Sequence, residues 1–231
     1  MSESSQWTLE GELQKVAQVD GIAAALHELG LINRIESTFL LLGGDGEWVR
    51  GGAETYIFRF KVDEVGERPK DVIIKACVAY SPGAGLGDIL HQWIQRRRLL
   101  EANGVQTPHL YGYGDGVIIE EYIEHSLSEL IKMASPNRNE LVRQLAIYAA
   151  VLSKLGFAPI GLFQDLRSRG SDVVAIDFGE DLGPAHINSQ PQSQIFSMLS
   201  AYLQELGIDL NDREIDELRT VFAAYGGEFL H

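Results

Sequence analysis

The sequence lacks several features that mark particular classes of protein. It has one cysteine, Cys77, which excludes an internal disulfide framework. No apolar run approaches the roughly 20 residues of a membrane span. The first residues are polar and acidic, without the basic start and apolar stretch of a secretory signal. We therefore expect a cytoplasmic protein in which Cys77 is a buried small hydrophobe.

Basic side chains are scarce relative to acidic ones. Lys and Arg total 19 against 33 for Asp and Glu, which gives a formal net charge of -14 at pH 7. A field of this sign repels nucleic-acid phosphates and anionic membranes, so we expect neither as a partner. The same field attracts a cationic small molecule or a basic protein surface, although acidity that serves solubility alone explains the charge equally well.

The composition is otherwise that of a folded globular protein. Hydrophobic residues make up 45% of the 231 residues and charged residues 23%, which excludes a disordered chain. The length suffices for one large domain or two small lobes, each with its own core.

Hydrophobic spacing and turn residues predict the order of the elements. Helical spacing predicts one or two leading helices in residues 8–31 and a later helix that Asp88 caps. Three consecutive arginines of that helix, at residues 96–98, are typical of a solvated face. The other predicted helices lie at residues 127–133, 137–156, 192–206 and 212–225. The predicted strands lie at residues 48–62, 71–80, 109–113, 117–123, 162–166 and 172–176, the last two joined by a turn at 167–171.

Asp177 is the first candidate for chemistry. It follows the apolar strand Val173-Val174-Ala175-Ile176 and begins the tripeptide Asp177-Phe178-Gly179. A strand that ends by presenting a carboxylate places that carboxylate rigidly, as a hard cation requires. A strand that ends in a capped turn is the alternative interpretation.

Lys75 is the second candidate, because it interrupts the apolar run Val72-Ile73-Ile74. A buried ammonium costs free energy unless a partner neutralises it, and a nucleotide phosphate is one such partner. The alternative is an exposed strand face with Lys75 in water. Gly51 and Gly52 precede Thr55 in a loop whose backbone N–H groups could approach an anion, although a simple hairpin turn explains the glycines as well.

Taken in order, these elements resemble the protein kinases and, more closely, the aminoglycoside and choline phosphotransferases over residues 48–183. The resemblance implies an α+β, bilobal protein-kinase-like fold. It has a small antiparallel-sheet lobe in residues 1–122 and a reduced helical lobe in residues 123–231. It also implies ATP and Mg²⁺ as cofactors, with Asp177 as a metal ligand and Lys75 on the α- and β-phosphates. The remaining implied nucleotide contacts are Gly51, Gly52 and Thr55 over the phosphates and the backbone of Glu121, Tyr122 and Ile123 at the adenine.

The pattern departs from that family in three places. The region after Gly183 has only two predicted helices, where that family usually has a larger helical subdomain that shapes the acceptor pocket. The helix after Lys75 holds no acid in residues 89–100, so that only Gln92 or Gln95 could replace the glutamate that normally binds the lysine. The catalytic loop also has two conflicting alignments. In one, Gln164 takes the place of the metal-binding asparagine and a proline that of the base. In the other, Asp165 is the general base and Gly170 falls at the asparagine position.

The resemblance therefore implies an ATP- and magnesium-dependent phosphotransferase that acts on a hydroxyl of a small molecule or protein. Asp165 would be the catalytic residue, and Asp177 and Gln164 the candidate metal ligands. The alternative is a pseudokinase, a nucleotide-binding or scaffolding module without phosphotransfer, which the missing helix acid and the displaced base favour.

Overall fold

A computed structural model describes residues 32–35, 38–41, 46–51, 55–61, 71–77, 86–114, 116–133, 137–157, 163, 166–179, 182 and 194–227. The predicted leading helices lie outside these residues. The chain divides into two compact units, Met1–Gln92 with His109–Tyr122 and Trp93–Pro108 with Ile123–His231.

The first unit contains two antiparallel sheets. Strands β1 (Ile32–Ile35) and β2 (Thr38–Leu41) pair with each other. The larger sheet has the order β3-β4-β5-β7-β6, and every neighbouring pair in it is antiparallel. Its strands are β3 (Gly46–Gly51), β4 (Thr55–Lys61), β5 (Asp71–Cys77), β6 (Leu110–Gly114) and β7 (Val117–Glu121). Each of the four strand regions predicted in the first half of the chain contains a strand, and residues 48–62 contain parts of two, β3 and β4. Strands β1 and β2 were not predicted, and residues 78–80 lie outside the described residues.

Strands β5 and β7 form the buried middle of this sheet. Val72, Ile74 and Ile119 are fully buried, and Ile118 is nearly so. Strands covered on both faces read as continuous apolar runs, which is why these segments lack the alternation seen in β4. Any charged residue within either strand therefore needs a partner inside the protein or on a ligand.

Helix α1 (Leu86–Ala102) follows β5 in the chain. The prediction that Asp88 caps it is wrong, because the helix begins at Leu86 and Asp88 lies in its first turn. A carboxylate there still complements the positive end of the helix dipole. After the helix, Gly104 adopts φ +85°, a conformation that favours glycine and ends the element.

The second unit is mainly helical. Its helices are α2 (Leu127–Lys132), α3 (Arg138–Leu155), α4 (Ile195–Glu205) and α5 (Asp212–Ala224), which confirms the predicted helices. Helix α3 packs against α2, α4 and α5. Leu141, Leu145, Ala149 and Leu152 are fully buried at spacings of three and four residues, as expected for a central helix.

A small sheet with the order β10-β9-β8 also belongs to the second unit. Its strands are β8 (His125–Ser126), β9 (Leu166–Arg169) and β10 (Asp172–Ala175), and α3 packs against β10. The predicted turn at residues 167–171 is wrong, because β9 occupies most of it. Of the strand predicted at residues 162–166, the structure describes only Phe163, which lies in a turn, and Leu166, which begins β9. A two-residue turn at Gly170 and Ser171 suffices, since Gly170 adopts φ +64° and such turns require a positive φ.

The described part of the chain thus belongs to the α+β class, with antiparallel sheets and separate helices. None of the helices in this part has the length and apolar content needed to cross a membrane.

Candidate functional site

Lys75 forms a buried ion pair with Glu120 in the first unit. On the antiparallel strands β5 and β7, Ile73 lies opposite Glu120, and Lys75 is the next residue along β5 on the same face. The distance from Lys75 Nζ to Glu120 Oε1 is 2.6 Å, and the two side chains are 10% and 2% exposed. The alternative interpretation, in which Lys75 lies on an exposed strand face in water, is therefore wrong.

Glu120 was not among the predicted partners of Lys75, which were Gln92 and Gln95 of α1. The available signal was a glutamate that directly follows the apolar run Val117-Ile118-Ile119. A carboxylate inside a buried strand needs a cation for the same reason that a buried lysine needs an anion. Cross-strand register then decides which cation it contacts.

The segment predicted to bind adenine is hydrogen-bonded within the first unit at two of its N–H groups. The Glu121 N–H donates to the His109 carbonyl at 2.9 Å, and the Tyr122 N–H donates to the Asp71 carbonyl at 3.3 Å. Arg59 lies 3.8 Å from the centre of the Tyr122 ring and donates to the Asp71 carboxylate. An adenine edge would therefore have to bind other backbone groups of this segment. In the second unit, Ile123 is buried.

The predicted phosphate loop joins two paired strands. Gly51 is the last residue of β3 and Thr55 the first of β4, and Gly51 lies opposite Tyr56. Gly52 lies outside the described residues. This placement fits a phosphate-binding loop and a simple hairpin turn equally well.

Asp177 lies just beyond β10 in the second unit and is half-buried. Its Oδ1 accepts a hydrogen bond of 2.8 Å from the Gly179 N–H, which closes a short turn over Phe178. Phe178 is 2% exposed and anchors the turn in the core. Within the described ranges, no basic side chain forms an ion pair with the Asp177 carboxylate.

Two arginines of α1 contact the Asp-Phe-Gly turn. Arg96 Nη1 donates to the Phe178 carbonyl at 3.2 Å and also to the Gly179 carbonyl. The Arg97 guanidinium lies 5.6 Å from the centre of the Phe178 ring, and Arg97 is only 4% exposed. The prediction of a solvated face is therefore wrong for Arg96 and Arg97 and holds for Arg98, which is exposed.

Arg97 is held in place by its own neighbours. Its Nε donates to Glu101 at 2.8 Å, and its Nη2 donates to Thr107 Oγ1 at 3.0 Å and to the Pro108 carbonyl. The same connecting segment supports β10, because the Gln106 carbonyl accepts the Ala175 N–H at 3.0 Å. The strand that leads to Asp177 is thus fixed at its end by the segment that follows α1.

Gln164 and Asp165 lie outside the described residues, but the residues on either side of them are packed. Phe163 is 3% exposed and stacks on Tyr202 of α4, with the ring centres 4.8 Å apart. Burial raises the pKa of the Tyr202 hydroxyl. Leu166, which begins β9, is also 3% exposed. The chain on either side of Asp165 is therefore anchored in the core of the second unit.

No group of three or more His, Cys, Asp or Glu side chains that could hold a metal occurs in the described ranges. A single carboxylate such as Asp177 still suits Mg²⁺, which proteins often hold through one or two carboxylates together with substrate phosphates. Lys75 belongs to the first unit and Asp177 to the second, so their convergence on one ligand stays a prediction.

No protein-family model matches the chain, and no curated protein matches it.

Proposed function

We propose that this protein is an ATP- and magnesium-dependent phosphotransferase of the kinase-like type, with two lobes divided near residue 122. The observation that carries the proposal is the environment of its two key charges. Lys75 is buried in a central strand with a carboxylate partner, and Asp177 is held in a turn directly after a buried strand. The kinase-like phosphotransferases that the sequence resembles use a fixed cation and a fixed carboxylate at these two positions.

In this proposal each residue has one task. Lys75, oriented by Glu120, contacts the nucleotide phosphates, and Asp177 holds Mg²⁺, which neutralises charge on those phosphates. Asp165 accepts the proton of the acceptor hydroxyl. Phosphoryl transfer depends mainly on positioning and charge neutralisation, so few residues suffice. The acidic chain suits an acceptor that is a cationic small molecule or a basic protein, in the cytoplasm.

The position of β9 bears on the two alignments of the catalytic loop. Gly170, five residues after Asp165, lies in the tight turn of the hairpin and has no side chain to offer a metal. If Asp165 is the base, Asp177 is therefore left as the only metal ligand proposed in that alignment. Under the other alignment Gln164 is the second ligand and the chain has no base.

A pseudokinase is the second candidate, and the ion pair itself favours it. Because Glu120 already neutralises Lys75, the buried ammonium needs no phosphate to be tolerated. Such a protein would bind nucleotide, or only a protein partner, without phosphotransfer.

The first test is a thermal shift with ATP alone and with ATP and Mg²⁺. A ligand at 100 times its Kd stabilises the native state by about 2.7 kcal/mol. This raises the Tm of a chain of this size by roughly 5–10 °C. We expect that shift to require Mg²⁺ and to vanish in Asp177→Asn, which keeps an oxygen for the Gly179 N–H and loses the charge. Asp172→Asn, an exposed carboxylate of β10, is the matched control and should keep the shift.

The second step measures ATP turnover in Asp165→Asn. Loss of a general base lowers the rate by roughly 100-fold or more. Unchanged turnover would remove Asp165 from the mechanism. Binding without any turnover in the wild type would favour the pseudokinase, and the absence of a shift with nucleotide and metal would contradict both nucleotide-binding forms of the proposal.

A further inference from the structure

The backbone of Gly179 is held on both sides of its Cα atom. Its N–H donates to Asp177 Oδ1 at 2.8 Å, and its carbonyl accepts from Arg96 of α1. Arg96 also binds the preceding carbonyl, that of Phe178. One guanidinium therefore fixes two successive peptide planes. The first of them, which joins the Phe178 carbonyl to the Gly179 N–H, carries the donor that orients the Asp177 carboxylate.

The residues around Arg96 restrict the geometry of its hydrogen bonds to the turn. Charge-assisted hydrogen bonds from a guanidinium are stronger than neutral ones and depend on geometry. Arg97, the next residue of α1, lies beside the Phe178 ring and is itself held by Glu101 and Thr107. The Arg96 side chain thus extends from a helix in which the next residue, Arg97, is fixed by hydrogen bonds. It reaches a turn whose central residue, Phe178, is buried.

We propose that Arg96 is a positioning residue for Asp177: it holds the Phe178 and Gly179 carbonyls so that the Gly179 N–H keeps the Asp177 carboxylate in one orientation. The metal-binding consequence rests on the proposed function, in which Asp177 binds Mg²⁺. The geometric consequence does not rest on the proposed function. It states only that α1 orders the Asp177–Gly179 turn. Residues that orient a metal ligand typically change metal affinity by about 10–100-fold when they are lost.

The experiment uses the full chain and the substitution Arg96→Met, which keeps most of the aliphatic stem and removes every donor. Arg98→Met, an exposed arginine of the same helix, is the matched control. Amide hydrogen exchange followed by NMR reports the Gly179 N–H directly. We expect its exchange to be about tenfold faster or more in Arg96→Met, because local opening of the turn then costs less free energy.

Further comparisons separate a local effect from a global one. The exchange rate of the Gly179 amide in Arg98→Met should equal that of the wild type. In Arg96→Lys, which keeps a charge without the planar guanidinium, the rate should be intermediate. Amides in the buried part of α3 should keep their protection in every variant. Gly179 exchange in Arg96→Met within about twofold of the wild type would overturn the proposal. Acceleration shared equally with α3 would also overturn it, because Arg96 would then contribute only to global stability.

A second measurement addresses the metal. The Mg²⁺ concentration for half of the ATP-dependent rise in Tm should increase by about tenfold or more in Arg96→Met and stay unchanged in Arg98→Met. Equal values in the two variants would overturn the metal-positioning role. If the wild type shows no such rise at all, the proposed function fails, whereas the Gly179 exchange rates still decide whether Arg96 orders the turn.

Discussion

At the scale of single residues, the central finding is that two opposite charges are buried together in β5 and β7. Lys75 and Glu120 face each other at 2.6 Å, and Ile73 and Ile118, which lie on the same face of the two strands, are buried. Desolvation of both ions offsets much of their attraction, so the pair itself adds little stability relative to apolar residues. Removal of one partner is different, because it leaves an uncompensated charge inside the sheet.

The substitution Glu120→Gln should therefore lower the free energy of unfolding by about 3–5 kcal/mol. The double substitution Lys75→Met with Glu120→Leu should recover most of that loss, because no buried charge remains. Urea denaturation followed by circular dichroism measures both. Glu140→Gln breaks an exposed pair with Arg143 and should cost no more than about 1 kcal/mol. Equal costs for Glu120→Gln and Glu140→Gln would show that Glu120 does not serve a buried lysine.

At the scale of elements, the sequence Ser126-Leu127-Ser128-Glu129 forms the N-terminal cap of α2. The Ser126 hydroxyl accepts the Glu129 N–H at 3.2 Å and donates to the Glu129 carboxylate at 2.7 Å. This hydrogen bond lowers the pKa of Glu129, with smaller contributions from the Ser126 backbone, Arg167 and His125, while desolvation opposes it. The carboxylate of an exposed residue thus reports whether the helix start is intact.

We expect Ser126→Ala to raise the pKa of Glu129 towards its ordinary value. The folded pKa is depressed, so this contribution to stability is present above the unfolded pKa and is lost as the pH falls through the folded pKa. NMR titration of the Glu129 side-chain carbon measures the change. Thr220→Ala, which removes a hydroxyl from α5, should leave the titration of Glu129 unaltered. An identical Glu129 titration curve in Ser126→Ala would contradict the assignment of Ser126 as the main cause.

At the scale of the whole molecule, the dominant property is the formal net charge of -14. Repulsion among like charges destabilises the compact state, and dissolved salt screens it over a Debye length of about 10 Å at 0.1 M. The buried pair of Lys75 and Glu120 is screened much less, so salt acts mainly on the surface.

The Tm of the full chain should therefore rise as NaCl increases from about 0.01 M to about 0.3 M. Differential scanning calorimetry measures the change. Potassium chloride at equal ionic strength is the control and should give the same rise, since screening depends on ionic strength. A Tm that falls over this range would show that attractive surface pairs outweigh the net repulsion.

Much of the architecture followed from short-range patterns. Alternation predicted β4, continuous apolar runs predicted β5 and β7, and helical spacing predicted the helices of both halves. The hairpin of β9 and β10 was misplaced because residues 167–171, four polar residues and a glycine, are typical of a loop. Ser168 of β9 is nevertheless 1% exposed, so burial and pairing with β10 overrode the local preference.

The sequence alone determined the class of most elements and two candidate charges, a lysine within an apolar strand and a carboxylate after one, because these depend on spacing within a few residues. Only the tertiary structure decided the partners of those charges. Glu120 contacts Lys75 through the register of two strands, and Arg96 contacts the Asp-Phe-Gly turn across 82 residues of chain. A buried charge requires a partner, but the packing of distant segments decides which residue that partner is.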